Sequence, residues 1–212
     1  MSNQTIYTAL VAGGMTIEGA CALMGNMQQE SRMKSNIVQI GCSKLSDEQY
    51  TAAVDNGLID FVHDGIGYGL CQWTHWERKQ RLLEFAKKLG ASIGDEDMQV
   101  KFAIYEMKTY YNSTFLLLCS TNDLYYATQF VCVNYEQPKI NNVAIRYTYA
   151  QGFLQQAYTE KPTPSEKIDK TILVIQSIMA GDGYWDVDQI HGKRTDLFKK
   201  KIVEWANDVA TI

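Results

Sequence analysis

At 212 residues, 46% hydrophobic and 11% aromatic, the chain is long enough to bury a substantial core and bears no compositional mark of disorder. A net charge of −4 with no dominant basic block argues against a generic nucleic-acid binder. No apolar run reaches transmembrane length, and the N-terminus lacks the basic start and apolar middle of a signal peptide, so no membrane insertion is expected and synthesis in a cytoplasm is.

The five cysteines (Cys21, Cys42, Cys71, Cys119 and Cys132) are odd in number and show no C-x-x-C spacing. Neither a disulfide framework nor a zinc knuckle fits that pattern. Cys21, Cys119 and Cys132 lie in apolar stretches and read as small buried hydrophobes. His63 and His191 sit in no ligand-like cluster, so neither a metal nor another cofactor is expected.

In chain order, an opening helix pair comes first. Thr16 can cap the second helix, and Ile17, Ala20, Cys21, Met24 and Gln28 follow at helical spacing. Glu30 lies near the C-terminal end of that helix, roughly 140° from the centre of the apolar stripe at about 100° per residue. It therefore borders the core. The negative end of the helix dipole and apolar neighbours both favour a neutral carboxyl there, a proton donor in waiting. Residues 34–75 read as a long irregular stretch, with room for a short hairpin. It closes on Asp64-Gly65-Ile66-Gly67-Tyr68-Gly69-Leu70-Cys71-Gln72-Trp73, where glycines permit close backbone approach. Tyr68, Gln72 and Trp73 there could supply the stacking faces and amide of a saccharide groove. Cys71 and His75, four apart, suggest a nucleophile and base, but no orienting Asn or Asp accompanies them.

Helical periods follow at 76–89, 96–110, 122–135 and 142–158, with Gly90 as a C-cap and Asn122 or Asp123 as an N-cap. Two of the three prolines, Pro162 and Pro164, mark a linker over 159–165. Thr163, Pro164 and Glu166 then open a helix with a capping box, and residues 166–212 read as a small helical module. Charge also changes at this border. Residues 1–160 hold 12 Lys/Arg against 16 Asp/Glu, whereas 161–212 balance 8 against 8.

The order Gly25-Asn26-x-x-x-Glu30-Ser31, then Gly67-Tyr68-Gly69-Leu70-x-Gln72-Trp73, then Tyr135-Glu136-Gln137-Pro138 resembles the phage tail-tip lysozyme family. Glu30-Ser31 with Gly69-Leu70-Cys71-Gln72 also resembles motifs of goose-type lysozymes and soluble lytic transglycosylases. The resemblance covers about residues 5–158. It implies a mainly α, lysozyme-like catalytic domain over 1–158 that cleaves the β-1,4 bond between N-acetylmuramic acid and N-acetylglucosamine. Glu30 matches the family's catalytic glutamate and would be the general acid. Hydrolysis with inversion needs a second carboxylate, for which Asp64 is the candidate and Asp60 and Asp55 compete. Without one, the chemistry would be that of a lytic transglycosylase leaving 1,6-anhydro ends. Ser31, Tyr68, Gly69, Gln72, Trp73, Tyr135 and Glu136 are the expected substrate-binding residues, with Glu136 ordering the cleft.

The C-terminal segment, with Val187-Asp188-x-x-x-Gly192-x-x-Thr195, loosely resembles small helical peptidoglycan-binding modules, with Tyr184 and Trp185 as wall contacts. Dimerisation or virion attachment is the competing role for that module. Taken together, these features suggest a phage endolysin acting on the peptidoglycan of a Gram-positive host, released through a holin. The alternatives are a tail-associated lysin and a non-catalytic wall-binding or tail structural protein.

Overall fold

The computed structural model describes residues 3–159, within the first of two units into which the chain divides, Met1–Thr159. The linker, the helical module, Tyr184 and Trp185 lie outside the described residues. The described residues are mainly α, as expected.

Helices α1 (Asn3–Ala12) and α2 (Ile17–Ser31) form the opening pair. Thr16 caps α2, its Oγ1 accepting from the Gly19 N–H at 3.0 Å. Arg32 ends it in the left-handed region at φ 56°. The expected single apolar stripe understates the burial of α2. Every residue from Gly19 to Met27 is buried, because α1, α6, α7 and α8 pack around this helix.

Within 34–75 the chain is more ordered than the irregular reading. Ser46 and Gln49 form a reciprocal capping box that starts α3 (Asp47–Asp55), a helix the sequence reading missed. In place of a hairpin there are two isolated antiparallel bridges, Val38 to Tyr68 and Tyr68 to Trp73. Lys79, fully buried on α4 (Trp76–Leu89), fastens this loop to the helical body. Its ammonium pairs with Asp64, donates to the Ile66 carbonyl at 2.8 Å and lies 4.2 Å from the centre of the Phe61 ring.

Gly90 caps α4 at φ 64°. Asp95 caps α5 (Glu96–Tyr110), its Oδ1 accepting from the Met98 N–H at 2.8 Å. A further helix not foreseen, α6 (Asn112–Ser120), follows after a one-residue break at Tyr111. Asp123 caps α7 (Leu124–Val131), accepting from the Tyr126 N–H at 2.9 Å. The single helix expected over 122–135 is instead α7 run on into a π turn, Cys132–Glu136. Finally α8 (Val143–Thr159) lies along α2. That approach requires Gly25, where a Cβ would stand 2.6 Å from the Arg146 carbonyl oxygen and 2.7 Å from the Ala150 Cβ.

Candidate active site

The helical body and the 34–75 loop together line a cleft of about 940 Å³. Glu30 on α2, Gln72 in the glycine-rich turn and Glu136 at the end of the π turn all contribute to its wall. Three of the expected site residues are therefore brought together.

Glu30 does not sit among apolar neighbours, as its place on the helix had suggested. Its Oε1 accepts from Arg146 Nη2 at 2.5 Å, and the carboxyl side chain is 18% exposed. Arg146 itself is buried on α8, with Nη1 donating to Asn26 Oδ1 at 3.1 Å and Nε to the Asn141 carbonyl at 2.9 Å. Asn26 completes its own bonding by donating Nδ2 to the carbonyls of Ala22 and Thr128. The motif Gly25-Asn26-x-x-x-Glu30 is thus one apparatus for holding Arg146. Gly25 admits its helix, Asn26 binds one nitrogen and Glu30 another.

Glu136 has a different environment. Its Oε1 is buried and has no hydrogen-bond partner. Burial, and next the negative charge of Glu30, push the Glu136 carboxyl up to about 8. Arg78, Arg146 and the Cys71 thiol pull the other way and do not overcome this. The backbone that carries Glu136 is fixed by the π turn, closed by the Gln137 N–H to the Cys132 carbonyl at 2.9 Å, and by Gln137 in the left-handed region at φ 51°.

A buried charge network braces the same segment. Arg78 meets Glu106 in a two-pronged pair, Nε to Oε1 at 2.9 Å and Nη2 to Oε2 at 2.8 Å. Glu106 Oε2 also accepts from the Trp73 indole at 3.0 Å and the Tyr135 hydroxyl at 2.8 Å. Arg78 Nη1 donates to the Tyr135 carbonyl at 3.2 Å, and its guanidinium lies over the Tyr135 and Tyr111 rings. The residue before Glu136 is therefore held by backbone, ring and hydroxyl at once.

Several sequence expectations need correction here. Asp64 does not line the cleft with Glu30. It is the counter-ion of Lys79, accepts from the Tyr50 hydroxyl at 2.5 Å and lines a separate hollow. Tyr68, Trp73 and Tyr135 are fully buried and offer no stacking face. Their hydroxyl and indole groups find protein partners (Thr51 for Tyr68, Glu106 for the other two), so they build the core under the cleft. Ser31 is also buried, donating to the Met27 carbonyl at 2.9 Å. Gly69, at φ 76°, serves packing, since a Cβ there would stand 2.6 Å from the Gln99 amide oxygen. Asp60 pairs with His63 on the surface, and Asp55 binds Ser92 and the Ile93 N–H, both outside the cleft.

Cys71 reaches the cleft wall, but burial pushes its thiol well above the ordinary range, which disfavours a nucleophilic thiolate. Among the described residues no group of acidic, histidine or cysteine side chains could hold a metal ion. Sequence reasoning missed Arg146, Arg78 and Glu106. One signal was available: Arg146 is the only charged residue in the 17 of α8. A lone cation in such a helix is expected to be paired.

A family model described as phage tail lysozyme matches residues 2–156. No curated protein matches the chain.

Proposed function

The chain belongs to the phage tail lysozyme family, and we propose that it is a muramidase that hydrolyses the β-1,4 bond between N-acetylmuramic acid and N-acetylglucosamine in peptidoglycan. The observation that carries this reading is the pair of glutamates, Glu30 and Glu136, lining one large cleft in a chain of lysozyme type. Glycoside hydrolysis asks for one carboxyl group that gives a proton and one that works as an anion. Glu30, the residue that the family motif marks, is the general acid in this reading and gives its proton to the glycosidic oxygen. Gln72 takes the part of a polar contact for sugar hydroxyls at the cleft wall, while the buried aromatics below it keep that wall rigid.

The biological setting that fits the motif reading is an endolysin released from the host cytoplasm onto a Gram-positive wall. The family's description as a tail lysozyme favours a second setting, a lysin carried on the virion. Immunodetection in purified particles separates the two.

The activity is tested on purified cell walls. Wild-type protein is expected to release glycan fragments with reducing muramic ends, identified by mass spectrometry, and Glu30→Gln to release almost none. Anhydro ends would replace hydrolysis by transglycosylation. Freed peptides, or undiminished lysis by Glu30→Gln, would overturn the proposal, and inert wild-type protein would leave a wall-binding or structural role.

A further inference from the structure

We propose that Arg81 is a specificity residue of the cleft: its guanidinium takes a carboxylate of the stem peptide carried by muramic acid, so the protein selects glycan whose peptides are still attached. This rests on the glycosidase reading and names the form of substrate within it.

Arg78 and Arg81 stand three residues apart on one face of α4, and both line the cleft. Their surroundings differ. Arg78 is engaged inside the protein by Glu106 and the Tyr135 carbonyl. Arg81 donates no hydrogen bond among the described residues. Its Nε is sealed without an acceptor, and Glu77 Oε2 stands 3.9 Å from Nη2, beyond hydrogen-bond reach. The side chain is held instead by the Tyr110 ring, whose centre lies 4.1 Å from the guanidinium carbon. Arg81 is 24% exposed, and with Nε sealed the nitrogens left to meet a ligand are the outer two. A guanidinium stacked in this way has its plane fixed and its outer N–H groups unengaged, the arrangement that a carboxylate meets with two parallel hydrogen bonds.

The rest of the cleft wall has the matching sign. Arg32, at the left-handed end of α2, and Lys139, just beyond the π turn, are exposed on it and have no ion pair among the described residues. Of the acids in the wall, Glu30 is met by Arg146, and burial favours the neutral form of Glu136, which leaves Glu77 against these cations. A chain of net charge −4 has thus gathered open positive charge in this cleft. The acetamido sugars and the amide-linked lactyl group of peptide-bearing muramic acid are uncharged, whereas the stem peptide carries carboxylates. The cations therefore match the peptide, not the glycan that bears it.

The test uses walls freed of teichoic acid and cut by an endopeptidase into peptide-bearing glycan strands. An amidase strips part of this material to bare strands, whose charge is the lactyl carboxylate alone. Release of reducing ends should show a kcat/KM at least about tenfold higher for wild type on the peptide-bearing strands. Arg81→Gln should lose most of that preference through a higher KM, with kcat within roughly threefold of wild type. Arg81→Lys, which keeps the charge but not the fork, should recover part of it. Calorimetry reads the same preference without turnover: the disaccharide pentapeptide should bind wild type about tenfold or more tightly than the peptide-free disaccharide, and Arg81→Gln should bind the two alike. The proposal is overturned if wild type treats the two strands or the two disaccharides alike. It is overturned too if wild type prefers bare strands, which would assign the lactyl carboxylate instead, or if Arg81→Gln loses equally on both, as an arginine of purely structural value would. Should wild type cut neither strand and still prefer the pentapeptide in calorimetry, the glycosidase reading falls and the Arg81 site stands.

Discussion

Replacing Gly25 by alanine sets two effects of known size against each other. Alanine is worth about 0.8–1.0 kcal/mol over glycine in a helix interior, which favours the variant. Its Cβ, however, would stand 2.6 Å from the Arg146 carbonyl oxygen and 2.7 Å from the Ala150 Cβ. Carbon atoms rest at about 3.5–4.0 Å, so α8 must retreat from α2 by roughly 1 Å. Overpacking of this kind costs typically 1–3 kcal/mol, and the difference leaves Gly25→Ala about 1–2 kcal/mol less stable than wild type at the upper part of that range. The shift in Tm should be a fall of roughly 2–8 °C, measured by calorimetry. The same retreat draws Arg146 away from Glu30 and Asn26, so wall-lytic activity should fall further than the lost stability explains. Gly152 provides the internal control. It lies exposed on the same α8 with nothing within 4 Å of a built Cβ, so Gly152→Ala should raise stability by about 0.5–1 kcal/mol. If Gly25→Ala gains stability like Gly152→Ala, the close approach of α2 and α8 is not the reason for glycine in the motif.

Glu106→Leu should cost roughly 3–5 kcal/mol in urea denaturation, because it leaves the Arg78 charge buried without a counter-ion. Adding Arg78→Leu should recover part of that loss, since the two side chains act as one unit. Asp64→Asn should destabilise through Lys79 by a similar amount, yet leave kcat per folded molecule within about threefold of wild type, in keeping with a structural rather than catalytic carboxylate. Glu136 also gives stability a pH dependence. Its folded value of about 8 exceeds the ordinary 4.5, so its contribution is fully present below 4.5 and is lost as the pH rises to 8. The slope over that window should reach at most about 1.4 kcal/mol per pH unit and flatten in Glu136→Gln, read from denaturation midpoints across the range.

Local signals carried most of the helical boundaries. Thr16, Gly90 and Asp123 each act through their own backbone neighbours, and each is where the pattern placed it. The short helix α3 was overlooked although Ser46 and Gln49 announce its capping box, because only Tyr50 and Val54 of its nine residues are buried and little periodicity results. The site was legible in part. Glu30, Gln72 and Glu136 share a cleft, but the expected aromatics Tyr68, Trp73 and Tyr135 do not face it. A tyrosine or tryptophan beside glycines suits a sugar platform and a core under a tight turn equally well. Only the location of a partner such as Glu106, more than thirty residues away from Trp73, decides between them. Asp64 was misjudged for a related reason: its cation, Lys79, lies fifteen residues downstream on the next helix. Long-range pairing of charges is set by tertiary packing and leaves almost no trace in spacing.

The π turn at Cys132–Glu136 gives the chain an unusual vulnerability. It accommodates one residue more than an α-helical turn would, and Glu136 is its last position. Deleting a single residue from this segment would let α7 continue as ordinary helix and swing the following side chain by about 100° around the axis. Every side chain of the buried network could remain chemically intact and the carboxyl would still point elsewhere. The aim of this glutamate is thus written in the number of residues before it as much as in their identities, and substitution scans would pass over that dependence where a one-residue deletion would reveal it.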